Sequence, residues 1–302
     1  MRRCPGIPAH MPMQQKEDYT PMKVTETCAA CLLDKQQHLT ADQNYLKEIQ
    51  EIIQNRDEGD SAPYLVYLFN QVYEKHFGKQ ASYREVRKTY NHFVLSMEDA
   101  IREKIEASSD PLATSLAYAR IGNYIHFGAM NHIDENTFLT LLDDACLQER
   151  DQQAFRSFKS QCEKAERFLL VADNCGEIVL DKLFLQQLKK AFSNLQISVM
   201  VRGGEVLNDA TVEDALYVHL EDVAKVVSNG TPVAGTIYEM LSNEAKEALD
   251  QADVILAKGQ GNYESICGQG RHVFYSFLCK CDLFTNRFGA PRFTGILLEE
   301  ME

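Results

Sequence analysis

Apolar residues recur at helical spacing through the first half of the chain and in short strand-length runs through the second. Leu46, Ile49 and Ile53 share one helical face. Val86, Tyr90, Phe93, Met97, Ile101 and Ile105 form one amphipathic stripe, read as a single helix of about five turns. Ser82 with Glu85 three residues on is a capping-box pattern at its start. Asp110-Pro111 reads as an N-cap followed by proline at the first helical position. Phe138, Leu141, Leu142 and Ala145 continue the helical pattern, with Asp134 as cap, and the polar stretch 55–62 around Gly59 reads as a helix–helix loop.

Beyond residue 165 the period changes. Apolar runs at 168–172, 197–201, 224–227, 254–257 and 273–278 have strand length. Helical patterns lie between several of them: Ile178, Leu183, Phe184 and Leu188, then 212–220, then 237–249. Strands alternating with helices predict an α/β fold, Rossmann-like, with a largely parallel sheet covered by helices on both faces. The expected organisation is a loose tail over 1–22, an all-helical region over 23–164 and the α/β domain over 165–302. In such sheets, ligands bind outside the carboxyl ends of the strands.

Polar residues collect at that rim. The first strand leads into Asp173-Asn174-Cys175-Gly176-Glu177, and the second into Arg202-Gly203-Gly204-Glu205 and Asn208-Asp209. The third leads into Ser228-Asn229-Gly230, the fourth into Lys258-Gly259-Gln260-Gly261-Asn262, and the fifth into Cys279-Lys280-Cys281. Asp173, Asn174 and Asp209 are hard oxygen donors of the kind Mg²⁺ and Mn²⁺ take. Lys258, Lys280 and Arg202 can neutralise a phosphoryl group, and Gly203-Gly204 and 259–261 allow backbone N–H groups to approach an anion. Singly, each piece is turn, cap or surface chemistry; Asn208-Asp209, for instance, reads as an N-cap for a helix from Thr211 onward. Their coincidence at one rim points to metal-assisted phosphate handling.

Composition narrows the partners. The net charge of −13 disfavours binding to a phosphate backbone, so no nucleic-acid partner is expected. No apolar run approaches the ~18 residues of a membrane span, and the polar first 21 residues lack the apolar core of a secretory signal. Nine cysteines, an odd number in a long chain, are expected to be mostly reduced in a cytoplasmic protein. Cys28-x-x-Cys31 has the spacing of half a zinc site or of a redox pair, and Cys279-x-Cys281 joins it if the helical region folds over the rim. The lone histidines His126, His132 and His219 read as loop or core residues, and the acidic end 299–302 as solvated.

Three motifs in this order, Asp173-Asn174-x-Gly176-Glu177, Val201 to Thr211 with Asn208-Asp209, and Ala257-Lys258-Gly259-Gln260-Gly261-Asn262-Tyr263-Glu264, resemble the metal-dependent damage-control phosphatase family, long catalogued as a domain of unknown function. Cys28-x-x-Cys31 resembles its prokaryotic branch, and the segment around Asn123 resembles another of its parts. The resemblance implies a Rossmann-like domain beneath a helical region and hydrolysis of small phosphate monoesters such as sugar phosphates or damaged phosphometabolites. It implies a divalent metal (Mn, Mg, Co or Ni) on Asp173, Asn174 and Asp209, with Lys258, Asn123, Asn262 and Lys280 facing the substrate. His126 stands where relatives are expected to carry Asp.

By this reading Asp173, Asp209 and Lys258 are the catalytic candidates, and Asn123, Arg202, Gly203, Asn262 and Lys280 the substrate-binding ones. The attacking group is either water at the metal or the Asp173 carboxylate. Two other readings stand beside this one. A nicotinamide-dependent oxidoreductase would need Gly-x-Gly-x-x-Gly after the first strand, and Glu264 stands where the third glycine would follow Gly259-Gln260-Gly261. A non-catalytic metal or redox sensor would rest on Cys28 and Cys31.

Overall fold

In the first half, helices α1 (Glu26–Leu39), α2 (Gln43–Gln54), α3 (Ala62–Phe77), α4 (Arg84–Leu95), α5 (Glu98–Glu106), α6 (Pro111–Ile121), α7 (Glu135–Asp143) and α8 (Gln152–Cys162) follow one another. The second half alternates: β1 (Arg167–Val171), α9 (Glu177–Ala191), β2 (Gln196–Val201), α10 (Val212–Tyr217), β3 (Lys225–Ser228), α11 (Asn243–Gln251), β4 (Val254–Lys258), α12 (Gln260–Ile266), β5 (Val273–Leu278), α13 (Asp282–Phe288) and β6 (Gly295–Glu300). This computed structural model describes residues 22–124 and 135–301; the expectations for tail residues 1–21, Asp134, His126 and His132 lie outside the described residues, while Met22, expected in the loose tail, is buried in the core that holds α11, α12 and α13.

The sheet runs β3-β2-β1-β4-β5-β6, parallel except for β6, which pairs antiparallel with β5. Side chains alternate between its faces. Phe168, Leu170, Val199, Leu256 and Phe274 enter one core with α9 and with the helices from α4 to α8. Leu169, Val171, Met200, Ile255 and Tyr275 enter the other with α11, α12 and α13. The first core is continuous from Val94 to Leu297, so helices α4 to α8 cover the sheet directly. Helices α1–α3 have a core of their own around Tyr45, Ile49, Leu65 and Phe69, and α3 packs on α12.

Several local expectations are corrected. The stripe from Val86 to Ile105 is two helices, not one. Ser96 Oγ donates to Phe93 O at 2.7 Å, a side-chain bond that competes with the helix ladder where α4 stops. Ser82 forms no capping box: the N-cap is Tyr83, while Ser82 Oγ accepts from Arg84 N and donates to Glu205. The helix after Asp209 is capped by Thr211, with Asp214 completing its capping box, and not by Asn208 or Asp209. Of the acidic end, Glu299 and Glu300 belong to strand β6, while Met301 is exposed beyond it. Glu300 is buried and accepts from Tyr275 Oη at 2.7 Å and Gly268 N at 2.7 Å, while Glu299 takes Ser157 and His272. By contrast, Asp110 caps α6 as expected, accepting from Ala113 N.

Among the described cysteines all but Cys146, which is disulfide-bonded, carry free thiols. No helix among the described residues is long and apolar enough to cross a membrane.

A cavity of about 490 Å³ opens between the start of α3 and the end of α12, with Tyr64, Tyr67, Tyr238 and Glu264 on its walls. Burial pushes the Glu264 carboxyl from 4.5 up to about 7, with Lys35 opposing. Folded chains therefore keep this proton over a range in which unfolded chains have lost it, and stability falls as pH rises through that range. Glu264→Gln should gain stability relative to the parent as pH rises from about 4.5 to 7, read from urea unfolding at a series of pH values. Unfolding curves that keep the same separation at every pH would refute the shift.

Candidate active site

The strand order reverses between β1 and β4, and the crevice at their carboxyl ends is where a sheet of this topology binds ligands. Asp173 follows β1, and Lys258 closes β4. Gly259 comes next with φ of +80°, and a Cβ there would lie 2.0 Å from Asp173 Oδ2. Only glycine lets the Asp173 carboxylate rest against the chain at this point.

Asp209 reaches the same place from the β2 side. Asn174 and Asp209 form an isolated antiparallel bridge, and Ala210 N donates to Asp173 O at 2.8 Å. Residues paired across such a bridge project to one face, so the side chains of Asn174 and Asp209 stand together. Asn174 Nδ2 donates to Asp173 Oδ2 at 2.6 Å. Asn123, in the 3₁₀ turn Gly122–Tyr124 that ends α6, donates to Asp173 Oδ2 at 2.5 Å and to Glu177 Oε2 at 2.7 Å. Its Oδ1 is buried without a partner.

The cations are disposed differently from one another. Lys258 is fully buried, and its ammonium donates to Asp181 at 2.6 Å, Glu177 at 2.7 Å and Ala119 O at 3.0 Å, which uses all three N–H groups. Arg202 is buried as well. Its Nε donates to Asp209 Oδ2 at 2.8 Å, and the guanidinium reaches Gly235 O at 2.8 Å and Asn262 Oδ1 at 3.2 Å. Asn262 in turn donates to Ala172 O and Lys258 O. These three side chains are therefore bonded within the protein. Gly203 serves a close approach of loops, since a Cβ there would fall 2.5 Å from Gly230. Lys280 is half-buried beside the carboxylates of Asp173, Glu177 and Asp209, and its backbone N donates to Gln260 Oε1 at 2.5 Å.

The electrostatics follow from that crowding. Burial pushes Asp209 up to about 7, the Asp173 charge adds to it, and Arg202 opposes. Burial likewise pushes Asp181 up to about 7, against Lys258. Burial alone would lower the Lys258 ammonium, but Asp181 and Glu177 outweigh it and hold the pKa above its usual value. Burial lowers Lys280, with the three carboxylates opposing.

A family model described as the damage-control phosphatase ARMT1-like domain matches residues 21–294. The chain belongs to this family. Relatives include a damage-control phosphatase of Archaeoglobus fulgidus, 26% identical over 86% of this chain and 93% of that one. Another, from Pyrococcus horikoshii, is 30% identical over 74% of this chain and 76% of that one. The crystal structure of a DUF89 family protein from Pyrococcus horikoshii superposes with a TM-score of 0.74 at 25% identity, covering 92% of this chain and 99% of that one. As a damage-control phosphatase family member, the chain is read as a phosphatase enzyme.

The same loops carry supports that sequence reasoning missed. Asn91 Oδ1 accepts from Gly176 N at 2.7 Å, and Asn91 Nδ2 donates to Asp214 at 3.0 Å. Arg87 donates to Asp214 at 2.9 Å and to Glu205 at 3.0 Å. Helix α4 thus fastens both the Asp173 loop and the Asp209 loop from beneath. The signal lay in Arg87 and Asn91 standing one turn apart on α4, two polar residues on one helical face. Asp181, one turn beyond Glu177 on α9, was legible in the same way.

Proposed function

We propose that this damage-control phosphatase family member hydrolyses small phosphate monoesters, sugar phosphates or damaged phosphometabolites, with a divalent cation held by Asp173, Asn174 and Asp209. The observation that supports the reading is the Asn174–Asp209 bridge, which brings those two residues together next to Asp173 at the switch point of the sheet.

The residues present fit such a cation. Among the described residues no three His, Cys, Asp or Glu side chains cluster closely enough to hold a metal, but the proposed set includes the amide oxygen of Asn174. Four carboxylates (Asp173, Glu177, Asp181 and Asp209) share one buried region with three cations (Arg202, Lys258 and Lys280). The orphaned Asn123 Oδ1 adds an acceptor without a donor. A bound divalent ion, Mn²⁺ or Mg²⁺ by ligand type, would supply polarisation of a phosphoryl oxygen and activation of water.

The chain's own groups set the rest. Arg202 holds Asp209 Oδ2 and so fixes the orientation of that carboxylate. Lys258 fixes Glu177, and Glu177 accepts from both Asn123 and Asn174. Lys258 and Arg202 are therefore positioning residues. Lys280, with Asp173, Glu177 and Asp209 as electrostatic neighbours, would offset charge on a phosphoryl group in the crevice. Asn123, Asn262 and Gly203 shape the wall around it.

The test is phosphate release from a panel of sugar phosphates and p-nitrophenyl phosphate. The purified chain is stripped of metal and resupplied with Mg²⁺, Mn²⁺, Co²⁺ or Ni²⁺ singly. Release that needs the metal and disappears in folded Asp209→Ala is expected. Equal release in the stripped chain or in Asp209→Ala would overturn the metal assignment, and no release with any metal would overturn the monoesterase reading.

A further inference from the structure

The cavity between the start of α3 and the end of α12 is separate from the crevice at the carboxyl ends of β1 and β4. Asp173, Asn174, Asp209 and Lys258 are not on its walls. Thr236 and Ser265 are, and Ser265 Oγ accepts from Thr236 N at 2.8 Å. Thr236 Oγ1 donates to Asn262 Oδ1 at 2.9 Å, so the cavity backs onto the crevice wall across Thr236. Its volume of about 490 Å³ falls in the range of small-molecule sites, roughly 300–1,000 Å³.

The walls are aromatic and acidic at once. Tyr64 and Tyr67 set their rings 6.5 Å apart and 22° from parallel, and no described cation lies over either. Among the described residues, three acids line the space, Asp60, Glu239 and Glu264, against one basic residue, Arg271. That guanidinium is already engaged, 2.8 Å from Asp250 and 4.8 Å from the centre of the Tyr238 ring. The acids are not. Neither Glu239 nor Glu264 makes a side-chain hydrogen bond or ion pair among the described residues, and Asp60 Oδ2 accepts only from a backbone donor, Asp57 N at 2.9 Å.

Glu264 is half-buried on α12, and burial costs an unpaired carboxylate free energy until an opposite charge reaches it. A cation with an apolar body answers both features of the walls. Its charge suits the carboxylates and the tyrosine faces, and its body suits the apolar surface of Leu249 and Ile266. A bare metal ion does not fit, because no three His, Cys, Asp or Glu side chains among the described residues cluster closely enough to hold one. An anion would meet three acids.

We infer that this cavity is a second binding site, for an organic ammonium ion of metabolite size, with Glu264 meeting its charge and Tyr64 and Tyr67 its body. The inference does not rest on the phosphatase reading.

The net charge of −13 attracts any cation to some degree, so the test separates this site from general attraction. The full chain is titrated calorimetrically at physiological salt, where exposed charges are screened. The probes are phenethylamine and benzyltrimethylammonium, with phenethyl alcohol as the neutral analogue and phenylpropionate as the anionic one. Expected is saturable one-site binding of the amines, about tenfold or more tighter than the alcohol, with no binding of the anion. Glu264→Gln should weaken the amines about tenfold, the worth of a hydrogen bond to a charged group, and Tyr67→Leu several-fold. Glu103→Gln, which removes an exposed acid on α5 that is not on the walls, should change nothing. Equal affinity for amine and alcohol would overturn charge recognition without recourse to any variant. Equal losses in Glu264→Gln and Glu103→Gln would leave only net-charge attraction and overturn the site. Displacement of the amines by p-nitrophenyl phosphate would merge the cavity with the crevice and overturn a second site. No binding of either amine would overturn the inference outright.

Discussion

Lys258→Met should lower unfolding stability by about 3–5 kcal/mol, the range for breaking a buried ion pair from one side. The ammonium is the shared partner of Glu177 and Asp181, both fully buried. Its loss strands two carboxylates where water cannot reach them, and Asp181 Oδ2 already lacks a hydrogen bond. Methionine fills much of the space, so the loss measures charge more than volume. Urea unfolding of the stripped chain reads the effect. Adding Asp181→Asn to Lys258→Met should restore part of it, because a neutral amide costs less to bury than an unpaired carboxylate. A single variant within about 0.5 kcal/mol of the parent, the range of ordinary surface changes, would show that Lys258 is not the keystone of this cluster.

Gly259→Ala should reduce turnover by about 100-fold, the loss that a displacement near 1 Å can bring in a reacting centre. Two effects act together. With φ of 80° and ψ of 158°, Gly259 sits in a region essentially reserved for glycine, where a residue with a Cβ is strained by about 1–3 kcal/mol. The new methyl also overlaps Asp173 Oδ2, 2.0 Å away, so the carboxylate must move out of the donor group. Phosphate release at saturating metal, compared with urea unfolding, separates misplacement from unfolding. Gly59→Ala is the control, since nothing lies within 4 Å of the added methyl. Near-parental turnover in Gly259→Ala would mean that the position of the Asp173 carboxylate does not limit the reaction.

The alternating half of the fold was legible because its five parallel strands are short apolar runs broken by glycine and polar turns. Strand β6 escaped notice because Glu299 and Glu300 disguise it: their charges are satisfied by Ser157, His272 and Tyr275, partners far away in sequence. The break between α4 and α5 escaped because Ser96 interrupts the ladder without disturbing the apolar spacing. At the rim, the order of motifs located Asp173, Asn174 and Asp209, which the structure gathers into one group. What spacing could not convey was where a long cation spends its charge. Lys258 and Arg202 look from sequence like groups aimed at a ligand. Their tips turn inward because Glu177, Asp181 and Asp209 lie within reach, and those pairings exist only once the sheet is assembled.

The sheet's central pair has a consequence for how the chain is made. Strands β1 and β4 are neighbours, yet β2 and β3 lie between them in sequence, so this contact waits on a long stretch of synthesis. Parallel pairing across such separations is slow to form. Helices α4 to α8 leave the ribosome before any strand, with Ile101, Leu116 and Phe158 facing a sheet not yet made. Until β4 docks, these faces have no cover, and the newborn chain is at its most prone to aggregate and most in need of a chaperone.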